Sequence, residues 1–215
     1  MIKKLLLFLV LFIVVFNSYS SVVGAMTQSD LEAILQNRAY FDPVDNCSIA
    51  STGAASVESG SADENKKVIW QYLMGKGLTA EQTAGFMGNL ESESAHTFDP
   101  RIVEFGKKNS RGETSVQGKP SSLDDNVPTD GEGGYGLVQW TSYYLPGGEF
   151  TLGRKQGLLK LLKERQASDP NIKASNLGLQ LDFLWQEVLG YKNSVYKPLL
   201  TSTTIREASD VILLE

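Results

Sequence analysis

The chain is poor in the residues that most often carry covalent or metal chemistry. It has one cysteine, Cys47, and one histidine, His96. A lone cysteine excludes an internal disulfide, so a folded domain must rely on an apolar core. Cys47 lies in a polar segment far beyond the apolar start of the chain, which argues against a lipid-anchoring cysteine and leaves an intermolecular disulfide open. No cluster of metal ligands is present, and neither a metal nor another cofactor is expected. A basic cluster is also lacking. The formal charge is −5, which argues against nucleic acid as a partner. Beyond the first residues no segment is apolar enough to span a membrane.

What is present begins with an export pattern. Lys3 and Lys4 precede an unbroken run of 12 apolar residues, Leu5 to Phe16, and a polar stretch leads to Val23-Gly24-Ala25. This is the order of a secretory signal, with cleavage expected after Ala25. The run is shorter than the roughly 20 residues a spanning helix needs, so membrane contact is expected only before cleavage. Loss of Lys3 and Lys4 takes the formal charge from −5 to −7. The mature chain is expected to be secreted or held at the cell surface.

Residues 26–41 read as a short amphipathic helix, with Ser29 and Glu32 at capping-box spacing. Residues 42–64, rich in Ser, Ala, Gly and Asp, read as a linker that buries too little to offset its ordering entropy. A domain is expected over residues 65–215. Its helical periods run from Lys66 to Lys76, from a Thr79 cap with Gln82 to near Glu93, from Leu152 to Gln166, from Leu177 to Leu189 and from Tyr191 to Leu200. A last helix is capped by Thr204 with Glu207. Gly85 and Gly88 are poor helix formers and suggest close packing against a neighbour. Glu104 to Gly134, full of Gly, Ser, Lys, Asp and Pro, reads as a long surface loop of the kind usually functional or disordered. With no convincing strand series the class is mainly α. The final apolar helix reaches Glu215 without a C-cap, so the expectation is a fragment or a partner over this end.

Two segments carry candidate chemistry. Gly88-Asn89-Leu90-Glu91-Ser92-Glu93-Ser94 ends a helix, and a carboxylic acid entering an apolar cleft there can act as a proton donor, because burial disfavours its charged form. Phe86, Leu90 and Glu93 share a helix side, but Glu91 follows Ala84 and Met87 at similar spacing, so periodicity barely separates the two glutamates. The second segment is Gly133-Gly134-Tyr135-Gly136-Leu137-Val138-Gln139-Trp140-Thr141. Its glycines allow close backbone approach to a ligand, Tyr135 and Trp140 have rings able to stack on sugars, and Gln139 offers a donor and an acceptor.

In this order the two segments resemble the phage tail lysozyme domain family, part of the lysozyme-like group that includes the soluble lytic transglycosylases. The resemblance extends through Val68–Met74, Arg154–Leu158 and Gln180–Trp185, over about residues 65–215. It implies a lysozyme-like helical domain with a long irregular loop between two cleft motifs, acting on peptidoglycan. The family's Glu-Ser falls on Glu93-Ser94, which implies Glu93 as the catalytic residue rather than Glu91. Its Gly-x-x-Gln falls on Gly136 to Gln139 and implies a sugar-binding cleft, with Ser94, Tyr135, Gly136, Gln139 and Trp140 as substrate-binding candidates. The long loop between the motifs, and the absence of the family's closing segment after Glu215, are departures from the pattern.

The expected reaction is cleavage of the glycan strand between N-acetylmuramic acid and N-acetylglucosamine, by water as a muramidase or by the muramyl 6-hydroxyl as a lytic transglycosylase. Inverting hydrolysis wants a second carboxylate roughly 6.5–9.5 Å away, for which Asp99, Glu104, Asp130 and Glu132 are the candidates. Two other readings compete. One is a non-catalytic module that binds cell-wall glycan. The other is a peptidoglycan peptidase using Cys47 and His96, which is disfavoured because no helix pattern follows Cys47 to activate its thiol. The acidic charge excludes electrostatic attraction as the route to an anionic wall.

Overall fold

The computed structural model describes residues 59–129, 133–144, 150–151 and 153–213. The expected signal segment 1–25, the expected short helix 26–41, most of the expected linker, Cys47, Asp130 and Glu132 lie outside the described residues. The elements are α1 (Ala62–Gly75), α2 (Ala80–Glu93), a two-residue antiparallel ladder of β1 (Tyr143–Tyr144) with β2 (Phe150–Thr151), α3 (Arg154–Gln166), α4 (Leu177–Gly190), a π-helical turn (Lys192–Tyr196), α5 (Lys197–Thr201) and α6 (Ile205–Leu213). The domain is mainly α, as expected. Among the described residues no helix is long and apolar enough to cross a membrane.

Helix starts follow their capping residues. Ser61 and Glu64 form a reciprocal capping box on α1, so this helix begins at Ala62 and takes in Asp63 and Glu64, read from sequence as the end of the linker. Thr79 and Gln82 do the same for α2, each box satisfying two otherwise unpaired amide donors. Thr204 Oγ1 accepts from the Glu207 amide and the Glu207 carboxylate accepts from the Thr204 amide at the start of α6.

α4 is the centre of the domain. Leu177, Leu179 and Leu181 are completely buried, and Phe183, Leu184, Trp185 and Val188 nearly so. A helix covered on almost every side has no continuous polar face to keep, which is why this stretch is mostly apolar. Each such side chain contributes about 1.5–3 kcal/mol by leaving water. α1 ties to it by a hydrogen bond from Tyr72 Oη to Asp182 (3.1 Å), and α3 by Arg165 to the same carboxylate (3.0 Å). On α3, a Cβ at Gly157 would meet the Phe183 ring at 2.6 Å, so α3 and α4 approach as closely as glycine permits.

α2 packs most intimately on α6. A Cβ at Gly85 would lie 2.4 Å from the Ile205 carbonyl oxygen and 2.7 Å from the Ala208 methyl, the close approach expected of this glycine. Gly88, by contrast, has open space around it and is exposed. Asn89 donates to the carbonyl and the hydroxyl of Ser209, both at 3.2 Å. Gln82 donates to the carbonyls of Leu200 and Ser202 (3.0 Å each).

The long loop is folded rather than loose. Buried Asn109 accepts from the amides of Arg111 and Glu113 and donates to the Ser121 carbonyl. Buried Asp124 accepts from the amide and hydroxyl of Ser110 and the amide of Asn126. Ser115 Oγ donates to the Val103 carbonyl. Single bridges pair Ile102 with Leu123 and Val103 with Tyr135. These bonds satisfy backbone groups that no helix or sheet serves.

Candidate functional site

A pocket of about 270 Å³ opens where α2, α3, α4 and α6 meet. Its apolar lining includes Phe86 and Leu90 of α2, Val138 of the second motif, Leu184 and Val188 of α4, and Ile212 of α6. Its ionisable lining groups are Glu93, Arg154, Glu187 and Tyr191. Glu93 is the last residue of α2 and is exposed. It shares the pocket with Phe86 and Leu90, the side of the helix that periodicity paired with it, whereas Glu91 is not among the lining residues.

The backbone beyond Glu93 is unusual. Ala95, His96 and Phe98 all have positive φ (52°, 64° and 51°). Non-glycine residues in this region store strain and concentrate where the surroundings over-determine the chain, commonly at functional sites. Ser94 supplies that determination. It is completely buried, its Oγ accepts from the Phe98 amide (2.9 Å), and its carbonyl accepts from Thr97 Oγ1 (2.6 Å). It therefore shapes the turn and has no surface with which to meet a substrate. His96 is exposed at this turn.

The second motif is also built inward. Tyr135 and Trp140 are 0% exposed. Tyr135 Oη donates to the Asp124 carbonyl, anchoring the loop, and burial, then the charge of Asp124, pushes its phenol well above the usual range. Trp140 packs on Phe183 at 5.2 Å between ring centroids. Neither ring has a face open to a sugar. The glycines serve protein contacts too: a Cβ at Gly136 (φ 78°) would meet Gln180 Oε1 at 2.6 Å, and one at Gly134 would meet Gln139 at 2.8 Å. Gln139, half-buried with φ 50°, donates to the Gly136 carbonyl (3.0 Å).

Of the candidate second carboxylates, Asp99 and Glu104 lie elsewhere. Asp99 is held in a two-pronged ion pair by Arg101 (2.9 and 2.7 Å) and also accepts from the Arg101 amide. Glu104 accepts from the Gly134 amide (2.8 Å). Neither lines the pocket. The second carboxylate that does is Glu187. Arg154 Nε and one terminal nitrogen grip it, both at 2.7 Å, and Trp140 Nε1 donates to it at 2.7 Å. A bidentate guanidinium–carboxylate pair with a third donor is among the stronger polar arrangements available.

Arg154, Glu187 and Gln180 are the residues sequence reasoning passed over as site residues. Each left a trace. Arg154 opens a helix whose first turn holds no acid, a place where the helix dipole disfavours a cation and a partner is needed. Glu187 is one of two acids in the largely apolar α4, and both pair with arginines of α3. Gln180 is completely buried. It donates to the carbonyls of Pro100 (2.7 Å) and Ala174 (2.8 Å) and accepts from the Leu137 amide (3.0 Å). It thereby joins the segment beyond Glu93 to the second motif. Among the described residues no group of three or more His, Cys, Asp or Glu side chains is placed to hold a metal ion.

The phage tail lysozyme family profile matches residues 64–215. The chain belongs to that family. Membership makes the domain a lysozyme-like enzyme of glycosidase type, directed at cell-wall glycan. The match takes in α1, both motifs and the pocket. Comparison with curated proteins and with solved structures gave no match.

Proposed function

We propose that the domain cleaves peptidoglycan glycan strands with Glu93 as its single proton donor and acceptor. The observation that supports this reading is the content of the pocket. Among its described lining residues Glu93 and Glu187 are the carboxylates, and Glu187 is committed to Arg154 and Trp140.

A saccharide seated on the apolar wall of Phe86, Leu90 and Val138 covers the Glu93 carboxyl and excludes water from it, and burial favours the neutral, proton-donating form of an acid. The Glu93 proton passes to the oxygen linking N-acetylmuramic acid to N-acetylglucosamine. The bond from that oxygen to the muramyl anomeric carbon breaks, and the electron pair stays with the departing oxygen. The muramyl 6-hydroxyl closes on the anomeric carbon and returns its proton to Glu93, leaving a 1,6-anhydro end and a regenerated acid. This intramolecular route needs no second free carboxylate, unlike inverting hydrolysis.

With Tyr135 and Trp140 buried, Tyr191 takes the aromatic role in this reading. It caps α4 at the pocket rim, and it is 50% exposed. The export segment 1–25 would deliver the domain to the wall. Digesting purified peptidoglycan with the chain and analysing the muropeptides tests the proposal: anhydro-muramyl ends are expected. Reducing muramyl ends would overturn the intramolecular route. Peptide-only cuts, or wall binding without cleavage, would overturn glycan cleavage itself.

A further inference from the structure

The Glu187–Arg154–Trp140 cluster invites a further question, because an ion pair built into the wall of an acid's pocket acts on that acid. Among the described residues, the charged or titratable groups lining the pocket are Glu93 from α2, Arg154 from α3, and Glu187 and Tyr191 from the C-terminal end of α4. The second motif contributes Val138, the π-helical turn Val195, and α6 Ile212 and Leu213, none of which titrates.

Resting on the reading of Glu93 as the acid, we infer that Arg154 and Glu187 are a positioning pair for it: Trp140 fixes Glu187, Glu187 fixes the guanidinium in the pocket wall, and each charge offsets the other's effect on Glu93. Three observations converge on this. Both Arg154–Glu187 bonds are 2.7 Å and use the two sides of the guanidinium fork, so the planar group is fixed in orientation. The Glu187 side chain is only 14% exposed, and the indole that steadies it is completely buried. The Arg154 side chain is 46% exposed, which leaves part of the guanidinium facing the same pocket as Glu93. Consistent with this, Arg154 is held more firmly protonated first by its hydrogen bonds to Glu187, against the opposing effect of burial, with the charges of Glu187, Tyr191 and Glu93 adding smaller contributions.

The two members act on Glu93 in opposite senses. The guanidinium favours the Glu93 carboxylate, which makes the carboxylic acid a readier proton donor and stabilises it once the proton has left. The Glu187 charge acts in the opposite sense.

The test measures kcat/KM against pH on soluble, uncrosslinked glycan strands for the full chain and three variants, with folding checked by circular dichroism and thermal melting. Arg154→Gln should move the alkaline limb of the profile to higher pH, and Glu187→Gln should move it to lower pH, each by about 0.5 unit or more. The double variant Arg154→Gln/Glu187→Gln, a neutral pair that retains an acceptor for Trp140, should bring the limb back towards its original place. Should Arg154→Gln fail to fold, Glu187→Gln and the double variant still carry the opposed-sign comparison. Limbs that move together, or stay fixed while rates fall, in a protein whose Glu93→Gln variant is inactive, would overturn the positioning role alone. An active Glu93→Gln variant would overturn the reading of Glu93, and this inference with it.

Discussion

α4 and the long loop, described over residues 104–129, both contribute to the same core, yet they are held by different forces. α4 buries Leu177, Leu179 and Leu181 completely and makes its polar contacts through three residues, Gln180, Asp182 and Glu187. The loop buries Asn109, Ser115, Ser122 and Asp124 beside its apolar residues, and its backbone is satisfied by their side chains. Apolar burial is non-directional and tolerates small shifts. A buried polar network is directional and costly when half satisfied. The helical layer should therefore lose stability globally and in proportion to volume removed, whereas the loop should fail locally and abruptly.

The joint between the two is the place to break the comparison. Gln180→Leu leaves the Pro100 and Ala174 carbonyls and the Leu137 amide without the partners they have now. At about 1–3 kcal/mol for each of these three buried groups left unpaired, the variant should lose at least about 3 kcal/mol by denaturant melting and lose cleavage activity with it. A loss under 1 kcal/mol would mean that water replaces the amide and the joint is not structural. Leu181→Ala tests the apolar side. It should cost about 3 kcal/mol, lower the melting temperature of the whole domain in one transition, and leave the pH profile of cleavage unchanged. Asp124→Ala tests the polar side. It removes the acceptor of three hydrogen bonds and should cost about 2 kcal/mol, with amide exchange accelerating in residues 101–126 before it does in α4. Uniform acceleration over both regions would erase the distinction drawn here.

The smallest effect concerns Asp125, whose carboxyl is lowered first by the Ser175 hydroxyl (2.7 Å) and then, against partial burial, by Lys173. A depressed acid contributes stability that is present above its unfolded pKa, near 3.9, and is lost as pH falls through the folded value. Ser175→Ala should therefore reduce stability at pH 6 slightly and flatten its fall below about pH 4. A steeper acid fall in the variant would contradict the assignment.

The same contrast explains what could be read in advance. The helices were legible through their apolar periods, although α3 and α5 have no side-chain cap, and, at Thr79 with Gln82 and Thr204 with Glu207, through capping residues whose local chemistry decides the start. Ser61 with Glu64 carries the same signature but sits inside a Ser-rich stretch, where composition masked it. The loop showed its polarity and not its order, because a buried Asn109 or Asp124 is the same letter as a solvated one until its partners are known. At the site, the motif points to Glu93, which lines the pocket. Tyr135 and Trp140 were legible as aromatic but not as buried, since a ring that packs on Phe183 or anchors a loop has the same sequence trace as one that stacks on sugar. Arg154 and Glu187, 33 positions apart, meet only because α3 and α4 pack together.

The central claim rests on one of two neighbouring glutamates. The most direct measurement is the initial rate of peptidoglycan solubilisation by Glu93→Gln and Glu91→Gln side by side, both confirmed folded. The account predicts that Glu93→Gln loses at least about a hundredfold, the lower end of what a general acid supplies, while Glu91→Gln stays within about twofold, on the order of what a surface substitution does. Full activity in Glu93→Gln, or equal losses in the two variants, would contradict it.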